Sequence, residues 1–241
     1  NDYLEASGEN LLFGGADPSI PNLVPSDIEI RGNLFSKPLA WKSENWSVKN
    51  LLELKNAQRV LIDGNVFQNN WPQAQNGFAI LFTVRNQDGH APWSVVRDVS
   101  FTNNTVQHVG SGINILGYDN NHPSQQTRRI LIRGNTFSDV GYSWGEGRLF
   151  QILSGAADII IDHNAADQSG SFLVADGKPD TGLVFTNNTV QNNQYGLIGS
   201  GTGIGTPSLK AYFPGAVFQN NTIVGGNASN YPAGNSFPQT D

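Results

Sequence analysis

Two loop segments contain the residue types that could move protons. Residues 83–97 include His90, and residues 117–129 include Asp119 and His122. An imidazole titrates near neutral pH, so His122 or His90 could serve as the proton-transfer group. Asp119 would then orient the imidazole or bind a cation. The predicted catalytic residues are Asp119, His122, Arg128 and His90.

A wider set of polar side chains would lie on the same face as these loops. Glu53, Ala79, Asn114 and Gln151 alternate with apolar residues, so we expect them to form an outward column if the apolar residues point inward. Charged loop residues would leave the ends of these strands. The predicted substrate-binding residues are Glu53, Arg85, Asp88, Asn114, Tyr118, Gln151, Arg148 and Lys178.

Repeated strands must position these residues. Residues 28–35, 60–67 and 130–137 share the pattern apolar-x-apolar-polar-x-Asn-x-apolar, and looser copies recur along the chain. This alternation predicts a strand with one buried face. The repeated Asn positions are 24 to 39 residues apart, which indicates a solenoid. They are Asn33, Asn65, Asn104, Asn135, Asn164, Asn188 and Asn221.

One Asn per coil suggests a stacked asparagine ladder. The short amide side chain tolerates left-handed backbone and can pass hydrogen bonds to the next coil. The alternative is that Asn marks exposed turns, but seven Asn in one register favour the ladder. Asn1 precedes Asn33 by 32 residues, so we expect it at a ladder position. The chain would then be a fragment from which further β-helix coils are missing.

A second strand is predicted after each Asn, and these strands would stack as another sheet. Coils stack at about strand spacing, so loops distant in sequence would emerge beside one another. Loops on a rigid scaffold often carry function. The predicted second strands are residues 11–13, 51–54, 78–82, 113–116, 149–153, 172–174 and 197–198.

The predicted fold is all-β: a single right-handed parallel β-helix of about seven coils, truncated at its ends. It would span residues 1–224, with residues 225–241 forming a tail or the start of a further coil. Right-handedness is expected for parallel crossovers. A sandwich of hairpins is the alternative, but two-residue Asn-Gly or Asp-Gly turns in hairpin register are lacking.

Composition argues against several classes of partner. The net charge is -6, which argues against nucleic acid and anionic membranes. No run of eighteen apolar residues occurs, so no membrane span is predicted. The chain has no Cys, which excludes disulfides and thiolate chemistry.

The repeat Ile-x-Ile-x-Gly/Asn-Asn-x-Phe resembles that of the pectate-lyase-like superfamily of right-handed parallel β-helices, over nearly the whole chain. Residues 91–96 and 124–129 are also similar to segments of uncharacterised bacterial β-helix-repeat proteins. The resemblance implies a polysaccharide partner and an extracellular or cell-envelope location. It does not decide the activity, because one fold hosts many functions.

Each activity in this superfamily implies its own residues. The hydrolases use clustered Asp residues including an Asp pair within one strand, and this chain has no Asp-Asp. The lyases use an Arg or Lys base with acidic calcium ligands, for which Glu53, Asp88 and Asp119 are the candidates. Epimerase-like sites use Tyr, Asp and His, which residues 118–123 resemble loosely. There the superfamily has Asp-Pro-His, whereas two Asn separate Asp119 from His122 here.

Two functions therefore stay open. The first is a polysaccharide-recognising β-helix with lyase-like or epimerase-like activity on an acidic glycan, with calcium as the candidate cofactor. The second is a non-catalytic carbohydrate-binding, structural or adhesive surface β-helix. Trp41, Trp46 and Trp71 could stack on sugar rings or cover the corners of coils.

Overall fold

A computed structural model describes residues 1–239 and shows three parallel β-sheets. Besides the strands, the described residues contain helix α1 (Thr206–Tyr212) and two 3-10 helices, Leu39–Ser43 and Ala228–Asn230. The strands are β1 (Tyr3–Glu5), β2 (Leu11–Phe13), β3 (Ser26–Arg31), β4 (Leu34–Ser36), β5 (Leu52–Leu54), β6 (Ala57–Asp63), β7 (Val66–Asn70), β8 (Phe78–Thr83), β9 (Val96–Thr102), β10 (Thr105–Val109), β11 (Ser111–Leu116), β12 (Arg128–Arg133), β13 (Thr136–Val140), β14 (Phe150–Leu153), β15 (Ala157–Asp162), β16 (Ala165–Gln168), β17 (Leu173–Asp176), β18 (Val184–Thr186), β19 (Thr189–Gln191), β20 (Leu197–Gly199), β21 (Val217–Gln219) and β22 (Thr222–Val224).

Every third strand belongs to the same sheet, so the chain passes through all three sheets in each coil. Sheet A contains every third strand from β1 to β22, eight in all. Sheet B contains every third strand from β2 to β20, and sheet C every third strand from β3 to β21, seven each. Neighbouring strands pair in parallel; β12, for example, pairs with both β9 and β15 in this way. The arrangement is consistent with a parallel β-helix of about seven coils and excludes the sandwich of antiparallel hairpins.

Each coil has three strands, whereas two were predicted. The repeated pattern spans two strands, one in sheet C before the Asn and one in sheet A after it. In the coil of Asn135, the preceding Gly134 has φ +66°, in the left-handed region. This bend ends β12 at Arg133 and redirects the chain into β13, which begins at Thr136. The turn at the Asn agrees with the repeat pattern, whereas the short sheet A strand that follows it was not predicted.

The interior of the coil is filled by apolar side chains from all three sheets. Ile132 and Ile161 are register partners in sheet C, and both are fully buried. Phe35 and Phe67 stack in the coils near the N-terminus, with ring centroids 4.5 Å apart. Burial of such side chains removes apolar surface from water and is the main stabilising contribution in a solenoid core.

The asparagine ladder is confirmed by the hydrogen bonds. The Asn65 backbone nitrogen and Nδ2 both donate to Asn104 Oδ1, at 2.9 and 3.0 Å. The same pattern recurs from Asn33 onward, and Asn221 donates to Asn235 in the same way. Asn1 is not a member. Asp2 donates its backbone N–H to Asn33 Oδ1, because the pairing of Tyr3 with Leu34 places Asp2, one residue later than predicted, at that register.

Sheet B contains the predicted second strands, and their predicted inward residues are buried. Leu52, Ile80, Ile113 and Ile152, for example, are all fully buried. The predicted outward column needs one correction. The register partner of Asn114 in β8 is Leu81, while Ala79, two residues earlier, is fully buried.

In the described part of the chain, no helix combines the length and apolarity needed to cross a membrane. The longest described helix, α1, has seven residues and packs against β20 and β17.

Candidate functional site

A groove runs along the outer face of sheet B, across the strands. Its floor is a register column, one residue from each neighbouring strand. Parallel strands lie about 4.8 Å apart, so the column forms a continuous row along the stacking direction. The row consists of Leu81, Asn114, Gln151, Val174 and Ile198.

Two depressions in this face meet at Gln151. The first has a volume of about 270 Å³ and includes Leu81 and Asn114, and the second has a volume of about 380 Å³ and includes Val174 and Ile198. Because both include Gln151, they form one elongated surface rather than two separate cavities. We call it the sheet B groove, and its defining residues are Leu81, Asn114, Arg148, Gln151, Val174, Tyr195 and Ile198.

Hydrogen bonds fix the polar side chains of the groove. Arg148 Nη1 donates to Gln151 Oε1 at 2.9 Å, and Gln151 Nε2 donates to Asn114 Oδ1 at 3.2 Å. Glu146 forms an ion pair with Arg148 at 2.8 Å. The three hydrogen-bonded side chains thus present donors and acceptors in a fixed orientation, which lowers the entropy lost on binding a ligand.

Loops from sheet A to sheet B form one wall of the groove. Residues 71–77 supply Gln75 and Asn76, and the loop before β20 supplies Gln194 and Tyr195. The Tyr195 side chain is 59% exposed, so its ring is available to a ligand. Asp176, at the end of β17, lies on the opposite side.

Glu53, predicted to bind substrate, is closed off from the groove. It is 3% exposed, and its Oε2 accepts a hydrogen bond from Asn50 Nδ2 at 3.0 Å. Lys55 lies 3.9 Å from its other carboxylate oxygen. Asn50, just before β5, occupies one of its carboxylate oxygens, and the outward register position of Glu53 does not make it accessible.

Arg85 and Asp119 come together as an ion pair that holds two loops. Arg85 Nη1 lies 2.9 Å from Asp119 Oδ1, and the Asp119 side chain is only 1% exposed. Asp119 also accepts hydrogen bonds from the backbone N–H groups of Asn86 and Asn121, at 2.8 and 2.9 Å. Burial raises the pKa of Asp119, but these hydrogen bonds and Arg85 outweigh it, so the pKa lies below its usual value. The carboxylate therefore stabilises the loops.

The two predicted proton-transfer histidines lie outside this network. The His90 backbone N–H donates to Asp17 Oδ2 at 2.8 Å, and the Asp88 backbone N–H donates to the same oxygen at 3.0 Å. His122 is exposed and packs beside Gly89. Neither imidazole hydrogen-bonds to a residue in the range 1–239, so the predicted orientation of His122 by Asp119 is not observed.

Arg128 and Tyr118 do come together, in a separate pocket of about 220 Å³ at the corner between sheets B and C. Arg97 lines the same pocket. Lys178 is exposed and lies beside Gly155, against which the Tyr118 ring also packs. Of the predicted site residues, the sheet B groove therefore contains Asn114, Gln151 and Arg148.

The tryptophans have divided roles. Trp71 is 8% exposed, and the Lys42 Nζ lies 5.5 Å from its ring centre and 3.5 Å from that of Trp144. Trp46 is 43% exposed and lies 5.0 Å from Trp41, ring to ring. Trp71 thus covers a corner, whereas Trp46 leaves part of its ring in solvent.

Several groove residues were not predicted from the sequence. Leu81, Val174 and Ile198 share the outward register with Asn114. Aligning the sheet B strands with one another and taking the outward position of each would have found them. Tyr195 belongs to a short loop without a distinctive motif. Its place beside the groove becomes visible only from the stacking of coils.

The proposed calcium ligands do not assemble. Among residues 1–239, no three His, Asp or Glu side chains are grouped closely enough to hold a metal ion. Glu53, Asp88 and Asp119 each have separate protein partners. These residues do not fit a calcium site.

Comparison with known proteins leaves the fold as the basis for classification. No family model, no curated protein and no solved structure matches the chain. The three stacked parallel sheets with an internal Asn ladder place it in the class of parallel β-solenoids.

Proposed function

We propose that the sheet B groove binds an extended polysaccharide and that the domain is a carbohydrate-binding β-helix. The observation that supports this most directly is the hydrogen-bonded chain of Asn114, Gln151 and Arg148 side chains within an elongated open groove. Sugar hydroxyls both donate and accept hydrogen bonds, and amide side chains offer both groups.

Apolar and aromatic groups complete a surface suited to sugar rings. Leu81 on one side of the adjacent polar pair, and Val174 and Ile198 on the other, provide apolar contacts. Tyr195 can place its exposed ring against a sugar face, with its hydroxyl directed to solvent. The row from Leu81 to Ile198 crosses five strands, so it spans roughly 19 Å at strand spacing. This length suits a chain of several sugars better than a single one.

Arg148 favours an acidic glycan. Its Nη1 donates to Gln151 and its Nη2 lies 2.8 Å from Glu146, so the guanidinium is held in place. The planar guanidinium group matches a carboxylate in geometry and charge. A uronate carboxylate in the groove would compete with Glu146 for this group.

Binding without chemistry is the form of the proposal that the side chains support. The predicted catalytic residues Asp119, His122, Arg128 and His90 do not line either depression of the groove. Asp119 is already engaged with Arg85 and loop N–H groups. A general acid or base must reach the reacting atom within hydrogen-bond distance, and a ligand in the groove would not be presented to these residues.

A right-handed coil of the pectate-lyase-like type is part of the same proposal. The strong preference of parallel crossovers for right-handedness and the repeat pattern both support it. An extracellular or cell-envelope location is proposed with it, because polysaccharides of this kind would be met there.

The test is a glycan array with wild-type protein, followed by affinity measurements on groove variants. Gln151→Ala and Arg148→Gln should each weaken binding by about tenfold or more, because each removes a polar contact. Gln107→Ala is the matched control, since Gln107 hydrogen-bonds to Gln68 at 2.9 Å in the same stacked manner on sheet A. It should bind as the wild type does.

Two results would contradict the proposal. One is the absence of binding to any uronic-acid or neutral polysaccharide. The other is unchanged affinity in both groove variants. A parallel assay for unsaturated uronate products distinguishes binding from lyase activity: turnover that is lost in a variant of Asp119 and His122 would restore the enzymatic reading.

A further inference from the structure

We infer that the pocket between sheets B and C is a second binding site, which takes an oxyanion such as a carboxylate, sulfate or phosphate group. We call it the corner pocket. It has a volume of about 220 Å³, and its polar lining residues are Arg97, Tyr118, Ser124, Gln125, Gln126 and Arg128. It shares no lining residue with the sheet B groove, so the inference does not rest on the proposed function.

Two arginines lie side by side at this site. Arg97 is the first outward-facing residue of β9, and Arg128 is its direct register partner in β12. Like charges on directly paired strand residues destabilise a sheet. The arrangement is therefore unfavourable unless a negative charge lies between or beside the two guanidinium groups.

The protein supplies little of that negative charge. Arg97 donates from Nε and Nη2 to the neutral amide oxygen of Gln58, at 2.9 and 2.6 Å, and lies 3.8 Å from Asp98. Asp98 is itself engaged by Arg129 through two hydrogen bonds of 2.6 and 2.9 Å. The hydrogen bond from Arg129 lowers the pKa of Asp98, and the charges of Arg97 and Arg128 act in the same direction. Asp98 is thus surrounded by three guanidinium groups, and the second nearby carboxylate, Asp158, acts on Arg129.

Arg128 has no hydrogen-bond or ion-pair partner among the 239 residues that the structure describes. The hydroxyl of Tyr118 likewise has no hydrogen-bond partner within that part of the chain, and the side chain is 38% exposed. A guanidinium and a phenol with free donors, facing one small pocket, are groups that bind oxyanions.

The loop that closes the pocket is held in place by its own contacts. The Gln125 backbone N–H donates to Ser94 O, and its Nε2 donates to Pro92 O, both at 2.9 Å. Gln126 Nε2 donates to Gly155 O at 2.8 Å, and Ser124 Oγ accepts from the Asp119 N–H at 3.0 Å. The pocket is therefore preformed, and an incoming anion has little loop ordering to induce.

The experiment is calorimetric titration of the intact protein with sodium sulfate, sodium phosphate and sodium glucuronate, at ionic strength held constant with sodium chloride. The tetrahedral ions represent sulfate or phosphate ligands, and glucuronate represents the carboxylate of an acidic sugar. Arg128→Gln removes the free charge with little change in shape. Arg31→Gln is the matched control, because it removes the same charge from an exposed surface pair.

We expect saturable binding of at least one probe to wild type and to Arg31→Gln. Arg128→Gln should weaken it about tenfold or more, and Tyr118→Phe by a smaller factor. Arg128→Lys retains the charge and should recover part of the affinity, which separates loss of the anion contact from a folding defect. Gln151→Ala, in the groove, should bind sulfate and phosphate as the wild type does, so these two probes report on the corner pocket.

Equal affinity of wild type and Arg128→Gln would overturn the inference, as would the absence of saturable binding for all three probes. Loss of polysaccharide binding in Gln151→Ala with retained anion binding would support both sites separately. If polysaccharide binding fails altogether while Arg128-dependent anion binding persists, the proposed function fails and the corner pocket stands.

Discussion

The side-chain oxygen of Asn164 accepts two hydrogen bonds from Asn135, at 3.0 Å from the backbone nitrogen and at 2.9 Å from Nδ2. The Asn135 Nδ2 also donates to the carbonyl oxygen of Phe101 in the preceding coil, at 3.0 Å. Asn135 Oδ1 in turn accepts from Asn104. A single buried side chain therefore connects three successive coils.

Asn135→Ala should lower the free energy of unfolding by roughly 1–3 kcal/mol, because it leaves buried donors and acceptors without partners. Urea unfolding followed by circular dichroism measures the change. Asn121→Ala is the control, since Asn121 is an exposed loop residue whose backbone N–H, not its side chain, contacts Asp119. A loss below a few tenths of a kcal/mol for Asn135→Ala would show that the ladder contributes nothing to stability.

The ladder and the stacking of strands could be predicted because they repeat. Seven Asn in one register, each after an alternating apolar segment, carry the same physical constraint several times over. The proposed groove does not repeat, and its lining residues followed less completely from the sequence. Gln151 and Asn114 followed from strand alternation, but the burial of Glu53 depends on the segment before β5, and the position of Tyr195 depends on which coils are adjacent.

Short local signals were also overlooked. Helix α1 begins at Thr206 with Pro207 in its first turn, a common helix start. No helix was predicted in this segment, which follows a Gly-rich stretch in the sequence. Asp119 and His122 are close in sequence, yet the carboxylate bonds to Arg85 from another coil. Proximity along the chain did not indicate partnership.

Lys37 is expected to hold the amino-terminal coil together. Its side chain is fully buried, and Nζ lies 2.7 to 3.1 Å from five oxygens. These include the carbonyl oxygens of Ala6, Ser7 and Gly8. Lys37→Met should cost roughly 3 kcal/mol or more, because several buried acceptors lose their donor. Amide hydrogen exchange should accelerate in residues 6–10.

Lys49→Met is the matched control for Lys37. Lys49 Nζ binds Glu9 at 2.9 Å with 39% of its side chain exposed, so its removal should change stability by no more than about 1 kcal/mol. Equal effects of the two substitutions would mean that the carbonyl oxygens around Lys37 find other donors.

Asp119 should matter for loop stability and not for polysaccharide binding in the sheet B groove. Asp119→Ala removes the acceptor for Arg85 and for two backbone N–H groups, and should destabilise the protein by roughly 1–3 kcal/mol. His122→Ala, in the same loop, should stay within about 0.5 kcal/mol of wild type because His122 is exposed. Polysaccharide affinity, measured on both variants, should not change. A selective loss of affinity or turnover in either variant would return these residues to a functional role.

Asp180 should make stability depend on pH near neutrality. It is 1% exposed, and Oδ1 accepts from the Ala156 N–H at 2.6 Å, while Oδ2 has no partner among residues 1–239. Burial raises the pKa of Asp180 to about 7, although the backbone N–H groups of Ala156 and Gly155 act in the opposite direction. The folded protein therefore keeps this carboxyl protonated at pH values where the unfolded chain has already ionised it.

The sign of the pH effect follows from proton binding. Between about pH 4 and pH 7 the folded state holds one proton more than the unfolded state at Asp180, so stability falls as pH rises through this range. Each unit of pKa difference corresponds to about 1.4 kcal/mol, which gives a loss of up to roughly 4 kcal/mol.

Asp180→Asn keeps the acceptor oxygen for Ala156 and cannot ionise, so its unfolding free energy should vary much less over the same range. Asp176→Asn, at an exposed position, is the control and should keep the wild-type slope. Urea unfolding at several pH values measures the three slopes, and a slope in Asp180→Asn equal to that of wild type would show that Asp180 is ionised in the folded protein.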